Sequence, residues 1–288
     1  MQNRPSQKER SVLITGCSSG IGHCVAHGLQ NRGYQVIASA RKPEDVERIK
    51  KEGLTCIQLD LDDSHSIEMA VEEALRLSNG KLYGLFNNAA YGQPGAVEDL
   101  SREVLRQQFE TNLFGTFELT NKLIPIMRQQ GYGRIIMNSS VLGLITLRYR
   151  GAYNASKFAL EGLTDTLRLE LDETNIQVSL IEPGPVTSRF RENAFAAYKK
   201  NIVREKSAHH EIYQKVEQRL QKQGSAAPFT LPPEAVLKKV IHALESKRPK
   251  ARYYVTIPTY FFGILRRLLG TRTLDKILLQ VSKSEYED

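Results

Sequence analysis

The sequence predicts an α/β fold, a doubly wound parallel sheet of about seven strands with helices on both faces. Two observations predict it. Strand-like apolar runs alternate with helix-periodic stretches from residue 11 to 183, and a glycine-rich turn joins the first run to the first helix. Right-handed crossovers make such βαβ alternation a parallel sheet, with its ligand crevice at the carboxyl ends of the strands.

The elements follow in order. SVLIT (11–15) is a strand, followed by the turn and a helix to about Arg32. QVIASA (35–40) is the second strand, PEDVERIKKE a short helix and LTCIQLDL the third strand. A helix over Asp63–Leu77 leads to KLYGLFNN (81–88), and a long amphipathic helix or pair over Ser101–Gln130 leads to GRIIMNSS (133–140). Ala152–Glu173 is helical, and IQVSLIEP (176–183) is the sixth strand. Residues 188–231 are polar and loosely helical, an insertion expected to form a lid over the substrate. Proline at a first turn starts the helix PEAVLKKVIHALES. ARYYVTI (251–257) reads as the last strand, and TYFFGILRRLLG (259–270) and TLDKILLQ (273–280) as short amphipathic helices. Neither a repeat nor a linker divides the chain, so one domain is expected over residues 1–288. Residues 1–10 and the acidic tail Ser284–Asp288 are expected to be loose.

At 288 residues, 41% hydrophobic and 25% charged, the chain suits one large α/β core. Three cysteines without metal-ligand spacing fit a reducing compartment. The N-terminus has no apolar stretch behind its charges, and no run reaches the ~20 apolar residues of a membrane span. A cytoplasmic protein is expected. The net charge of +8 lies in the C-terminal third: from Ala196 onward 18 Lys/Arg face 9 Asp/Glu, a net +9, leaving the rest at −1. That excess reads as a solvated face, with an acidic partner or a membrane surface as the alternative. No nucleic-acid partner is expected. Nor is a metal: His209-His210 reads as a solvated pair, and His23 and His27, one turn apart, as packing residues.

The turn is Thr15-Gly16-Cys17-Ser18-Ser19-Gly20-Ile21-Gly22. Gly16 permits the tight turn, Gly20 lets backbone approach a pyrophosphate, and Gly22 allows helix and strand to close. The helix N-terminus adds free N–H groups and a positive dipole end. Gly16, Ser18, Ser19, Gly20 and Ile21 are therefore candidate contacts of a dinucleotide in a Rossmann-type fold. At the end of the second strand stands Ser39-Ala40-Arg41-Lys42, with no carboxylate before Glu44. An acid there would repel a 2′-phosphate, whereas Arg41 can bond one, with Ser18 and Lys42 in range. NADP is the expected cofactor.

These residues resemble the short-chain dehydrogenases/reductases, single-domain branch. The resemblance runs from about residue 11 to 257, through TGCSSGIG (15–22), LDLDD (59–63), NNAAYG (87–92), Asn112 in FETNLFG, Ser140, Tyr153-Asn-Ala-Ser-Lys157 and Pro183-Gly184-Pro185. YNASKFALEGL looks like the steroid and retinol dehydrogenase branch, and the wider wording like bacterial NADP-dependent aldehyde reductases. The usual glycine after Asn-Asn-Ala is Ala90, and the usual threonine after Pro-Gly is Ser188.

Ser140 lies at a strand end and Tyr153 opens the next helix, where i, i+4 spacing puts Tyr153 and Lys157 on one face. Free tyrosine titrates near ~10, and a nearby ammonium is expected to lower it. Tyr153 then exchanges the proton and Ser140 donates to the carbonyl oxygen, or else only caps the strand end. The resemblance implies further roles. Lys157 bonds the nicotinamide ribose, and Asn112 holds a relay water. Asp60 and Leu61 lie against adenine, and Asn88 and Ala89 border the adenosine ribose. Pro183, Gly184 and Val186 flank the nicotinamide, with Thr187 or Ser188 near its carboxamide.

The expected reaction is NADPH-dependent reduction of an apolar aldehyde or ketone, with a hydroxysteroid or retinol dehydrogenase as the rival. An NADP-sensing protein and a membrane-surface binder are the alternatives of other classes. Leu142–Tyr149, Tyr91–Pro94 and the lid should line the pocket. Phe190, Phe195, Tyr198, Ile202 and Tyr213 either face substrate or anchor the lid. The helices over 101–130 and 152–173 resemble those that pair in family dimers and tetramers, so a homo-oligomer is expected. Residues 259–280 either pack on the body, the favoured reading, or make weak peripheral membrane contact.

Overall fold

A computed structural model describes residues 10–222, 224 and 227–286; the first nine residues of the expected loose N-terminus and the last two of the tail lie outside these. Seven parallel strands form one sheet in the order β3-β2-β1-β4-β5-β6-β7. They are β1 Ser11–Ile14, β2 Gln35–Ala40, β3 Thr55–Gln58, β4 Gly84–Asn87, β5 Gly133–Asn138, β6 Ile176–Glu182 and β7 Arg252–Tyr254. Helices α1 (Gly20–Asn31), α2 (Pro43–Lys51), α3 (Ser64–Leu77), α4 (Arg102–Phe109), α5 (Gly115–Gln130) and α6 (Gly151–Glu170) provide the crossovers up to β6. After β6 come α7 (Phe190–Asn201), α8 (His210–Gln221), α9 (Glu234–Glu245), α10 (Ile257–Leu268) and α11 (Thr271–Ser284).

Period-two side-chain alternation builds a core on each face of the sheet. Val12 and Ile14 of β1 face α1 and α9 with Val25, Leu29, Val236 and Val240, whereas Leu13 faces the other way with Leu119, Leu123 and Leu160. Caps set the helix starts: Asp63 accepts from His65 N at 3.0 Å and Ser101 from Val104 N at 3.3 Å. Gly131, at φ 82°, closes α5.

The structure refines the sequence reading in one place and departs from it in two. The stretch 101–130 is two helices joined by a π-helical turn, Glu110–Phe114, which carries Asn112. The described part of 188–231, expected to be loosely helical, is well packed. Tyr198, Ile202 and Tyr213 are buried in a third apolar cluster with Ala96, Leu100 and Tyr149. The tail is tied down through Glu285, which bridges Arg150 at 2.5 Å and Arg219 at 3.0 Å, while Tyr286 packs on Tyr149.

Behind β6 the Arg252 guanidinium is held by three carboxylates, Glu182 of β6 and Glu161 and Asp165 of α6. Burial pushes the Glu182 carboxyl up to about 8, Glu161 adding to this and Arg252 opposing it. Glu161 is likewise raised by burial. Replacing Arg252 with leucine should therefore destabilise the fold by roughly 3–5 kcal/mol at pH 8, as expected when one partner of a buried ion pair is removed. A carboxyl whose folded pKa lies above its unfolded value loses stability as pH rises, so the deficit should narrow toward pH 6. Urea denaturation at the two pH values checks both the size and the sign.

Candidate active site

β1 is flanked by β2 on one side and β4 on the other, so the strand order reverses there. A cavity of about 1010 Å³ opens at that reversal, over the carboxyl ends of the strands. Of the catalytic and cofactor candidates read from the sequence, all but Asn112 line it: the loop Gly16, Ser18, Ser19, Gly20 and Ile21, then Arg41, Asp60, Leu61, Asn88 and Ala89, then Ser140, Tyr153, Lys157, Pro183, Gly184, Val186, Thr187 and Ser188.

The glycine loop is shaped by close backbone approach. Gly16 has φ +69°, and a Cβ on it would stand 2.9 Å from Ala89 Cα. A Cβ on Gly22 would meet the Gly16 carbonyl oxygen at 2.3 Å, so helix and strand close only without a side chain. Thr15, buried at the end of β1, accepts hydrogen bonds from Asn88 N (2.8 Å) and Ala89 N (2.9 Å) on its hydroxyl. The Asn88 amide returns donors to the Thr15 and Gly16 carbonyls. Arg41 is exposed at the rim, with no ion pair among the described residues.

The other half of the site rises from β5 and α6. Lys157 is almost wholly buried and donates to the Asn138 carbonyl at 2.7 Å, its Nζ lying 5.7 Å from the Tyr153 ring centroid. Ser140 caps the short 3-10 turn Val141–Gly143, accepting from Leu142 N at 3.1 Å, and so fills its capping role while lining the cavity. Asn112 lies beneath, donating to the Tyr91 carbonyl (3.0 Å) and to Ser156 Oγ (3.1 Å) and accepting from Tyr91 N (3.2 Å). It holds the chain after β4 against α6, as a backbone-satisfied helix residue does.

Electrostatics here differ from the expectation that Lys157 lowers the tyrosine. Burial pushes the Tyr153 phenol up to about 12, with Ser140 pulling the other way. Burial also pushes the Lys157 ammonium down to about 8, opposed by Glu161 one turn on. At neutral pH the pair is therefore a protonated phenol beside a charged lysine, which suits a hydrogen donor aimed into the cavity.

Other features were left open by the sequence or lie beyond its spacing rules. The Phe190 ring meets the Tyr153 ring edge-on at 5.2 Å, so of the lid aromatics it faces the site while Tyr198, Ile202 and Tyr213 anchor the lid. Arg150, Arg219 and Glu285 add a linked charged group to the cavity wall. His23 and His27 do not pack in the core; both meet Glu52 Oε2, at 2.6 and 3.2 Å. Glu52 also accepts from Arg48, which donates to the Ser18 carbonyl at 2.6 Å. His209 meets Glu98 at 2.5 Å, a carboxylate too distant in sequence to be foreseen.

The sequence model described as short chain dehydrogenase matches residues 10–199. Over 270 residues the chain is 46% identical to the uncharacterized oxidoreductase YbbO of Escherichia coli (strain K12), covering 94% of each protein. It is 33% identical over 279 residues to the NADPH-dependent 3-dehydrocapnine reductase of Ornithobacterium rhinotracheale, covering 93% of this chain and 95% of the relative. A solved short-chain dehydrogenase from Streptomyces avermitilis superposes with a TM-score of 0.74 at 26% identity, covering 98% of both chains.

Among the described residues the Thr15 hydroxyl is the one side-chain acceptor for two neighbouring N–H groups, those of Asn88 and Ala89. Thr15→Val, which keeps the shape, should cost about 1–3 kcal/mol by leaving them unmet. Thr15→Ser should recover most of that. Thermal melting of the two variants beside the wild type measures it.

Proposed function

Because this chain belongs to the short-chain dehydrogenase/reductase family, we propose that it transfers hydride between NADP(H) and a carbonyl/alcohol pair, working chiefly as a reductase of apolar aldehydes or ketones. One observation carries the reading: Tyr153, Ser140 and Lys157 share one cavity with the glycine loop and Arg41. The loop fits a dinucleotide, since it leaves no room for a Cβ at Gly16 or Gly22. In this reading Gly16, Ser18, Ser19, Gly20 and Ile21 hold the pyrophosphate, Asp60, Leu61, Asn88 and Ala89 the adenosine half, and Pro183 to Ser188 the nicotinamide half.

A nicotinamide bound there supplies the hydride that the carbonyl carbon receives. Ser140 donates to the substrate oxygen and stabilises the charge that develops on it. Tyr153, held protonated by its burial, delivers the proton to that oxygen. Lys157 sits beside it as a cation, fixed by the Asn138 carbonyl, and would hold the ribose hydroxyls of a bound nicotinamide nucleotide. Asn112 positions the segment around Tyr91 and Ser156 and lies next to the lysine's helix.

Several features support the finer choices. Arg41 at the end of β2, with no acid in its place, favours the 2′-phosphate, and NADPH is named for the capnine reductase relative. Leu142, Leu147, Phe190, Val216 and Leu220 make the substrate wall largely apolar. Exposed Phe114, Leu163 and Leu169 on and beside α5 and α6 suit a homo-oligomeric contact. Retention of both Tyr153 and Lys157 favours turnover over mere sensing.

Two experiments test the reading. NADPH consumption with a panel of aldehydes, ketosteroids and retinal should be lost in Tyr153→Phe by a factor of about 10²–10⁴ while NADPH binding persists; an active phenylalanine variant refutes the proton role. Arg41→Glu should cut kcat/KM for NADPH at least tenfold and spare NADH. The pH profile has a definite sign. Lys157 loses its charge as pH rises through about 8, so reduction should fall on that limb. Residual activity of Lys157→Arg, whose guanidinium stays charged, should show no such fall.

A further inference from the structure

Helix α10 is apolar on two opposite faces. Phe262 and Leu265 turn inward against Leu142, Ile145, Leu274 and Leu278. On the other side Ile257, Phe261, Ile264 and Leu268 recur every three or four residues and are 62%, 53%, 54% and 75% exposed. Tyr260, half exposed, flanks this stripe. Large side chains scattered singly on a surface need no cause, but four along one helix stripe form a contiguous patch. A helix apolar all round is normally covered on every side.

What borders the stripe is basic. Beside Tyr260 lies a shallow cavity of about 240 Å³, lined by Lys239, Lys250, Arg252 and Arg267 with Tyr253 and Tyr254. Arg252 is neutralised by its three carboxylates. Lys239, Lys250 and Arg267 make no ion pair among the described residues. Exposed Arg272 and Lys276 of α11 follow on, within the third of the chain that carries the net +9.

We infer that α10 is a membrane-docking helix: it lies in the interface of a bilayer containing anionic lipid, with its outer stripe among the acyl chains and the Lys239–Lys250–Arg267 cavity receiving a lipid phosphate. An interfacial helix of this kind combines an apolar face a few ångströms deep with surrounding lysine and arginine. No crossing is involved, since no helix among the described residues is long and apolar enough to span a membrane. A second copy of the chain fits the patch less well. A two-fold contact is made by the same surface on both subunits, and it would bring the two basic rims together. The inward face of α10 packs on the Val141–Gly143 turn that follows Ser140, so docking would hold the catalytic cavity near the lipid surface. The inference goes beyond the carbonyl chemistry and does not rest on it, and its test does not read turnover.

The full chain is sedimented with vesicles of phosphatidylcholine alone and of phosphatidylcholine and phosphatidylglycerol in equal parts, at low and high salt. The wild type should pellet with the mixed vesicles, stay in solution with the neutral ones, and be released by salt. Phe261→Ser with Ile264→Ser should abolish pelleting, and Lys239→Glu with Lys250→Glu should weaken it by roughly tenfold or more. Both should melt at the wild-type temperature, because the altered side chains face outward. A control pair, Met69→Ser of α3 with Val203→Ser, which removes exposed apolar side chains outside α10, should pellet as the wild type does. Wild-type protein remaining in solution with both vesicles, or the Phe261/Ile264 variant pelleting normally, would overturn the inference. So would a fall in oligomeric mass of that variant in analytical ultracentrifugation without wild-type vesicle binding, which would assign the stripe to contact between copies.

Discussion

One chain of hydrogen bonds ties the two halves of the site together. The Gly16 carbonyl accepts from the Asn88 amide, Asn88 Oδ1 accepts from Asn138 Nδ2 at 2.9 Å, and the Asn138 carbonyl accepts from Lys157. Its members come from the ends of β1, β4 and β5, neighbouring strands whose register places these residues side by side. The position of the glycine loop and that of the lysine are thus set by the same three strand ends. A shift of either strand relative to its neighbour would move both, and the parallel register is in turn held by the apolar layers on the two faces of the sheet. The precision of the site is inherited from the least deformable part of the fold.

Desolvation gives that geometry its chemical character. Around α6 the same burial raises the Tyr153 phenol, lowers the Lys157 ammonium and raises Glu161 and Glu182. Arg252 keeps the carboxylate cluster from being an uncompensated buried charge, and Glu161 links that cluster to Lys157 one turn away. The charged groups behind the sheet therefore belong to the electrostatic setting of the tyrosine and lysine as much as to stability. In the same cavity wall Glu285 joins Arg150, the N-cap of α6, to Arg219 of α8. The segment of α7 and α8 is anchored by its own apolar cluster and fastened through the tail, with Phe190 meeting Tyr153.

Much of this was legible in the sequence because it is local. Strand and helix periods, the glycine spacing of Gly16, Gly20 and Gly22, and the i, i+4 pair Tyr153 and Lys157 are each written within a few residues. The cavity's lining follows from strand ends, which parallel topology gathers on one side. What stayed hidden depends on partners far apart in the chain. Glu52 with His23 and His27, Glu285 with Arg150 and Arg219, and Arg252 with Glu161 and Glu182 each join segments that no spacing rule connects. Of the single helix or pair expected over 101–130 the structure has the pair, and the π-helical turn that joins them, where Asn112 meets both Tyr91 and Ser156, has no spacing signature. The lid looked loose from its many charges, since the few tyrosines that bury it are diluted in a polar stretch. The amphipathic C-terminal stretch offered two readings, packing and surface contact; one face of α10 packs on the body, and the other is left exposed.

The central claim, that this cavity moves hydride onto a carbonyl with Tyr153 supplying the proton, is tested most directly by following the transferred atom. NADPH deuterated at the transferring position of the nicotinamide is incubated with protein and the best carbonyl of the panel, and the product is read by NMR. One deuterium on the former carbonyl carbon is predicted, always on the same face. Product without deuterium at that carbon, or no label transferred to any aldehyde or ketone by protein that binds NADPH, would contradict the account.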